Sequence, residues 1–180
     1  AINLELLQRC DCFIVEELRT ARRFLRKIGY EKNFDEVTFF ILNEHTDDKE
    51  IESFLLPLQE KKDIFLMSEA GLPCIADPGQ KVVSLAQKKQ YKIIPLVGPS
   101  SIYLSLMASG FNGQNFAFLG YLPVKEDERE KKIKEIENRI YKENQTQIFI
   151  EAPYRNEKMM MSLLKVLNNE TKICLASNIT

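Results

Sequence analysis

An apolar segment without alternation, Ile64 to Met67, places the strongest constraint on how this chain folds. A strand that is apolar on both sides is typical of a largely parallel sheet buried between helices. The segment runs directly into Ser68 to Gly79, a stretch with two glycines and two prolines. Because open α/β sheets bind ligands at the carboxyl ends of their strands, this pattern predicts a ligand-binding loop. An ordinary strand-to-helix connection punctuated by Gly and Pro also fits these residues.

The same order of strand, loop and helix recurs through the first part of the chain. Apolar strand patterns occupy residues 10–15, 37–42, 64–67 and 91–97, and each is followed by a helical pattern. This alternation predicts a Rossmann-like α/β domain with a doubly wound, largely parallel sheet over residues 1–110. A helical pattern precedes the first of these strands, so we expect the first strand of the domain to be missing.

The pattern changes at the polar, glycine-bearing segment 109–115, which predicts a domain boundary and a second α/β domain over 111–180. Its end, just after a strand pattern, suggests that this domain is incomplete. Strand patterns occupy 116–122, 147–151 and 172–177. The helical pattern over 125–144 mixes both signs of charge, which favours a solvated structural helix over a binding patch.

Composition excludes several classes of protein. Of the 180 residues, 44% are hydrophobic and 28% are charged, as in a folded soluble domain. No apolar run approaches the roughly 20 residues that span a bilayer, and the first residues lack a secretion-signal pattern, so we expect a cytoplasmic protein. The net charge of −1 excludes a globally basic nucleic-acid binder but not a local basic patch. Four scattered cysteines, with Cys10-x-Cys12 wrongly spaced for a zinc ribbon, predict reduced core residues and no metal site.

Polar residues follow several of the predicted strands. Glu16, Glu17 and Arg19 come after the first strand, where they fit either helix-start electrostatics or a functional cluster at the sheet edge. The only histidine, His45, lies in a strand-to-helix loop and fits either a proton carrier or a surface residue. The segment Gly98 to Ser101 is suited to starting a helix, where free N–H groups and hydroxyls can hold a ligand.

Six segments, taken in order, together resemble the ribosomal small-subunit RNA 2′-O-methyltransferase I group. This group belongs to the tetrapyrrole methylase-like enzymes that use S-adenosylmethionine. The segments are VEELR (15–19), LNEH (42–45), SEAGLPCIADPG (68–79), PLVGPSS (95–101), FLGYLP (118–123) and EAPYR (151–155). The resemblance covers nearly the whole chain, and it is specific because several separate loops match together.

The resemblance implies a two-domain fold with a largely parallel sheet in the first domain and a mixed α/β second domain. It also implies that S-adenosylmethionine binds in the cleft between domains, that the protein is a homodimer, and that the substrate is a ribose of ribosomal RNA in the small subunit. The residues that match cofactor-binding positions are Ser68, Glu69, Ala70, Gly71, Leu72, Pro73, Asp77, Gly98, Pro99, Ser100, Ser101, Ala152 and Pro153.

The chain departs from the group at several of these positions. Glu17 and Glu69 replace the usual aspartates, Leu72 replaces a common threonine, and Val97 replaces a usual proline. The proline-glycine loop that follows the group's first strand is missing. Three alternatives stay open: methylation of a tetrapyrrole or another small substrate, a cofactor-binding module without catalysis, and a structural α/β domain.

Methyl transfer from a sulfonium depends mainly on in-line placement of the reactants, which backbone loops can supply without a metal. A ribose hydroxyl also needs a neighbouring group that accepts its proton. The candidates are Glu16, Glu17, His45 and Tyr154. Arg19 and Arg155 are candidates for binding RNA phosphates, because the planar guanidinium matches phosphate oxygens.

Overall fold

A computed structural model of the chain describes residues 2–43 and 45–179, so Glu44 of the 42–45 segment lies outside the described residues. The chain forms two compact units, residues 1–99 and 100–180. By its contacts the segment 101–109 belongs to the second unit. The domain boundary between residues 110 and 111 stays a prediction.

The first unit alternates helices and strands. Its elements are α1 (Ile2–Arg9), β1 (Cys12–Val15), α2 (Leu18–Lys27), a 3-10 turn (Phe34–Glu36), β2 (Thr38–Ile41), α3 (Asp48–Phe54), α4 (Leu56–Gln59), β3 (Ile64–Leu66) and α5 (Gln80–Lys88). The strands form a sheet in the order β2-β1-β3, and both pairings are parallel. The predicted parallel sheet is therefore confirmed.

Helices cover both faces of this sheet. Phe13 and Val15 of β1 point to one face and pack with Leu25 of α2. Ile14 points to the other face and packs with Phe54 of α3. All four residues of the central strand β1 are buried, as expected for a strand between two helical layers.

Local signals set the helix boundaries. Asp47 and Glu50 form a capping box at the start of α3, as their spacing predicts. Pro57 lies in the first turn of α4, where its missing N–H is tolerated, and it separates this short helix from α3. Gly29 follows Ile28, the C-cap residue of α2, and has a φ of +84°, a conformation that glycine adopts without strain.

The second unit contains α6 (Ser101–Ser109), β4 (Phe116–Tyr121), α7 (Glu126–Glu143), β5 (Thr146–Ile150), a 3-10 turn (Pro153–Arg155) and α8 (Asn156–Val166). Strands β4 and β5 are parallel, with an irregular register between Phe118 and Tyr121. Ile133 and Ile136 of α7 pack with Met159 and Leu163 of α8 in the core of this unit. The two helices are thereby held together along one apolar face.

Two predicted strands, 91–97 and 172–177, are wrong, because neither segment is in a strand. Their apolar side chains lie largely in solvent: Ile94 is 60% exposed and Leu175 is 76% exposed. A strand is stabilised by pairing with a neighbour, which an apolar pattern alone does not supply. In the first of the two segments, Pro95 also lacks the N–H that a sheet would use.

The cysteines only partly match the expectation of core residues. Cys10 and Cys12 are buried, Cys74 is half-buried and Cys174 is exposed, and all four are free thiols. Burial raises the pKa of the Cys10 thiol to about 11, so this residue stays protonated and unreactive near neutral pH. Within the described ranges, no helix is both long enough and apolar enough to cross a membrane.

Candidate functional site

The loops that follow β1 and β3 meet at the carboxyl edge of the first sheet. The backbone N–H of Glu69 donates a hydrogen bond of 3.0 Å to Oε1 of Glu16, across a sequence separation of 53 residues. Asp77 lies close enough to Glu16 for their charges to interact. We call Glu16, Ser68, Glu69 and Asp77 the strand-end cluster.

The strand-end cluster holds two partly buried carboxyl groups. Burial raises the pKa of Glu16, and the nearby Asp77 raises it further, while the hydrogen bond from Glu69 lowers it. Burial also raises the pKa of Asp77, and a hydrogen bond with the Ser68 side chain offsets part of that rise. Both groups hold protons more tightly than free carboxylates do, and such shifts are typical of functional sites.

The loop between β3 and α5 has an unusual backbone. Cys74 and Ala76 have φ values of +69° and +62°, which non-glycine residues adopt only at a cost of about 1–2 kcal/mol each. Gly79, with a φ of +130°, is packed so closely that an added Cβ would lie 2.9 Å from Cys74 Sγ and 2.9 Å from Leu66 Cδ2. Gly71, in contrast, is exposed, with a φ of +74° and open space where a Cβ would be. The loop is therefore fixed at its base and open at Gly71.

The second predicted cofactor loop contacts the first. A Cβ added to Gly98 would lie 2.8 Å from Leu72 Cδ2, so the backbone here packs directly against that side chain. Asn3 of α1 donates a 2.7 Å hydrogen bond to the carbonyl of Val97, the residue before this glycine. The first unit thus brings Leu72 and Gly98 together.

Four of the predicted cofactor positions, Ser100, Ser101, Ala152 and Pro153, belong to the second unit. Ser100 is buried at the N-cap position of α6, where its side chain makes no capping hydrogen bond, and the next residue, Ser101, is exposed. Ala152 caps the 3-10 turn that begins at Pro153.

The remaining candidates in the first unit have separate roles. Both carboxylate oxygens of Glu17 accept hydrogen bonds from the backbone at the start of α2, from Arg19 N–H at 2.9 Å and Thr20 N–H at 2.6 Å. These bonds lower the pKa of Glu17, and they match the helix-start interpretation of this residue. Arg19 is exposed beside it. His45 is exposed in the turn after β2, and its backbone N–H donates to Asn43 Oδ1 at 2.9 Å.

Arg155 is held in place by neighbouring groups of the second unit. Its guanidinium donates to a carboxylate oxygen of Glu151 at 2.9 Å and to the carbonyl of Leu122 at 3.1 Å. The Arg155 side chain is 16% exposed and that of Glu151 is 8% exposed. Tyr154, one residue earlier, is 85% exposed. Arg155 therefore belongs to a fixed ion pair, whereas Tyr154 projects into solvent.

A third charged residue at this place, Arg129, was not among the residues predicted from the sequence. Although α7 was predicted to be a solvated helix, Arg129 is only 6% exposed. It lines a cavity of about 220 Å³ together with Glu151, Tyr154, Arg155 and Lys158, and we call these five residues the basic pocket. The signal was present in the sequence: Arg129 precedes Ile133 and Ile136 by four and seven residues, which puts it on the apolar face of the helix.

A family profile and several known proteins match this chain. The profile described as Tetrapyrrole (Corrin/Porphyrin) Methylases matches residues 3–180. The chain belongs to this family. It therefore shares the family's two-domain α/β fold, as predicted. The crystal structure of the methyltransferase CobJ superposes with a TM-score of 0.53 and 12% identity, over 88% of this chain and 66% of that one.

The curated relatives of this tetrapyrrole methylase family member carry a more specific name. "Ribosomal RNA small subunit methyltransferase I" of Vibrio cholerae serotype O1 is 32% identical over 177 residues, 98% of this chain and 58% of that protein. The protein of that name from Escherichia coli O157:H7 is 31% identical, over 98% of this chain and 59% of its own length. The chain thus spans about three-fifths of the length of these relatives.

Proposed function

We propose that the full protein is an S-adenosylmethionine-dependent methyltransferase that modifies the 2′-oxygen of a ribose in small-subunit ribosomal RNA. The observation that carries the proposal is the hydrogen bond between Glu69 N–H and Glu16 Oε1. It holds a partly buried carboxyl beside the loop expected to bind the cofactor, where a hydroxyl proton would need an acceptor. The name shared by the curated relatives supports the choice of substrate.

The residues of the first unit fit S-adenosylmethionine. The exposed, positive-φ backbone of Gly71 leaves room for a bound molecule to approach the chain without meeting a Cβ. The contact of Gly98 with Leu72 places a second backbone segment against the same loop. Gly71, Leu72 and Gly98 would hold the cofactor mainly through backbone groups and shape. When bound, the cofactor supplies an electrophilic methyl group.

Among the four candidates for proton acceptor, Glu16 has the strongest support. Its raised pKa makes its carboxylate a stronger base than an ordinary glutamate. Glu17 is less suited, because both of its oxygens accept backbone hydrogen bonds and its pKa is lowered. His45 and Tyr154, both exposed, stay further candidates.

The expected partner is the small ribosomal subunit or its RNA, which implies action in the cytoplasm. Arg19 is exposed beside the strand-end cluster and is available for a phosphate. Arg155 is already paired with Glu151, so any phosphate that it binds would share the guanidinium with that carboxylate. A homodimer, as implied by the resemblance, is part of this proposal.

Methylation of a tetrapyrrole is the second candidate function, and the description of the matching family favours it. The substrates of the two candidate functions differ in charge, because RNA carries a row of negatively charged phosphates. RNA binding releases counterions and weakens steeply with salt, with a slope of log affinity against log salt of roughly −0.7 per phosphate contact on single strands. A small tetrapyrrole has no such array of phosphates.

The deciding experiment offers labelled S-adenosylmethionine and full-length protein two substrates side by side: small ribosomal subunits and free tetrapyrroles. We expect label on the ribosomal RNA, in a position that alkaline hydrolysis leaves uncleaved because the 2′-oxygen is blocked. Label on the tetrapyrrole alone would replace the proposal with the second candidate. Label on neither substrate, with the cofactor bound, would favour a binding module without catalysis.

A further inference from the structure

We propose that the basic pocket of the second unit binds one phosphate group of the RNA backbone. This inference rests on the proposed function and adds Arg129 and Lys158 to the residues that hold the substrate. It concerns the second unit alone and does not depend on the strand-end cluster.

The buried guanidinium of Arg129 is the main observation. Its Nε donates to Ser162 Oγ at 2.9 Å and one Nη donates to the carbonyl of Val124 at 2.7 Å. Both acceptors are neutral, and among the described residues no ion pair includes Arg129. A buried charge is costly unless a counterion is near, so an anion drawn into the pocket would relieve that cost.

The charges that face the cavity leave a positive excess. Arg155 is offset by its ion pair with Glu151. Arg129 and Lys158 are not offset in this way, and Lys158 is exposed at the mouth of the cavity. Lys158 also lies in the first turn of α8, where unpaired backbone N–H groups favour anions. The pocket therefore carries two uncompensated positive charges around one cavity.

The shape of the pocket favours a nucleotide over a free small anion. A cavity of about 220 Å³ accommodates a phosphate group with its first waters. Tyr154 lines the same cavity and is 85% exposed, so its ring is available for a base to stack on. A stacking aromatic beside basic groups is the usual arrangement for binding single-stranded nucleic acid. The chain as a whole has a net charge of −1, so this excess is local.

The test measures binding of full-length protein to small-subunit ribosomal RNA over a series of salt concentrations. The variants are Lys158→Ala, Arg129→Gln and Arg129→Lys. The matched control is Lys165→Ala. Lys165 is an exposed lysine on α8, as Lys158 is, but it pairs with Glu126 and Glu130. We expect Lys158→Ala and Arg129→Gln each to reduce the salt slope by about 0.7 to 0.9, whereas Arg129→Lys and the control keep the wild-type slope.

Affinity for S-adenosylmethionine, measured on the same preparations, should stay unchanged in all four variants. Equal slopes for wild type, Lys158→Ala and the control would overturn the inference, and this comparison holds even if Arg129→Gln fails to fold. Methylation of ribosomal RNA by the wild type, together with equal slopes, would reject the pocket and keep the proposed function. Reduced slopes without any methylation would keep the pocket and reject the proposed function.

Discussion

The candidate site of the first unit and the basic pocket of the second unit are built from different chemical groups. In the first unit, the candidate site consists of backbone in unusual conformations and of two carboxyls with raised pKa values. In the second unit, it consists of long cationic side chains around a small cavity. Carboxylates suit a sulfonium and a hydroxyl proton, whereas guanidinium and ammonium groups suit phosphate. Under the two proposals, Glu16 of the first unit accepts the proton and the basic pocket of the second unit binds a phosphate.

The contrast also predicts different sensitivities to mutation. A site made of backbone is damaged when a side chain is added, because a residue with a Cβ adopts a positive φ only at an energetic cost and fills space that the ligand would use. A site made of paired side chains is damaged when one partner is removed, because the other is left charged and buried.

Glu16→Gln should have the largest effect on function. If Glu16 accepts the hydroxyl proton, the single-turnover rate of methyl transfer to ribosomal RNA falls by about 10² to 10³, which is typical of general-base catalysis. The same substitution should increase the stability of the fold at neutral pH. Because the folded-state pKa of Glu16 is raised above 4.5, wild-type stability falls as pH rises from 4.5 through that pKa. The glutamine variant escapes this loss, so at pH 7 it should unfold at higher urea than the wild type.

Glu17→Gln is the matched control for that stability effect. The pKa of Glu17 is lowered by its hydrogen bonds at the start of α2, so its charged form stabilises the fold above its usual pKa of 4.5. Replacing it should lower the urea midpoint at pH 7. The two variants should therefore shift stability in opposite directions, and shifts of the same sign would contradict the raised pKa of Glu16.

Arg155→Ala should destabilise the protein by about 2 to 3 kcal/mol. This is less than the roughly 3–5 kcal/mol of a fully buried pair, because part of the ion pair reaches solvent. The loss comes from Glu151, whose side chain is 8% exposed and would lose its cation. The double variant Glu151→Gln/Arg155→Ala removes both charges and should recover at least half of the loss in a urea titration. A double variant no more stable than Arg155→Ala would show that the buried carboxylate is not the cause.

Gly79→Ala should lower the free energy of unfolding by about 2 kcal/mol or more, because backbone strain and overpacking act together. The new Cβ would meet Cys74 Sγ and Leu66 Cδ2, both at 2.9 Å. Gly113→Ala is the control, since its Cβ meets nothing within 4 Å, and it should stay within about 0.5 kcal/mol of the wild type. Equal urea midpoints for the two variants would mean that the base of the loop is not fixed.

Gly71→Val should reduce affinity for S-adenosylmethionine by about tenfold, which equals roughly 1.4 kcal/mol. Gly29→Val is matched to it, since both glycines have a positive φ, +74° and +84°, with open space around them. The two variants should lose similar stability, but only Gly71→Val should bind the cofactor more weakly in calorimetric titration. Full affinity in Gly71→Val would remove the loop from the cofactor site.

Much of the fold follows from local sequence patterns. Strand β3 was predicted from its lack of alternation, although its three residues are half-buried, and the capping box at the start of α3 matches the spacing of Asp47 and Glu50. These features depend on neighbouring residues only. The segments 91–97 and 172–177 have equally apolar patterns, but a strand needs a partner, and partner choice depends on distant parts of the chain.

The candidate site was less predictable for the same reason. The residue types at the strand ends were visible, but the contact between Glu16 and Glu69 joins residues 53 positions apart. Nothing in the local sequence distinguishes Glu16 from Glu17, although only one of them reaches the loop after β3. Arg129 was missed because the mixed charges of α7 concealed a single basic residue on the apolar face.

The hydrogen bond from Asn3 to the Val97 carbonyl has a consequence for the order of folding during synthesis. It joins residues separated by 94 positions, so α1 cannot make this contact until nearly the whole first unit has been translated. At about 5–20 residues per second, that interval lasts roughly 5–20 s. Three strands are therefore translated after α1 before this contact can form. A nascent chain stalled before Val97 leaves the ribosome should expose the start of α1 to protease more than a chain stalled after it, while Leu7 already packs with Phe13 and Leu25.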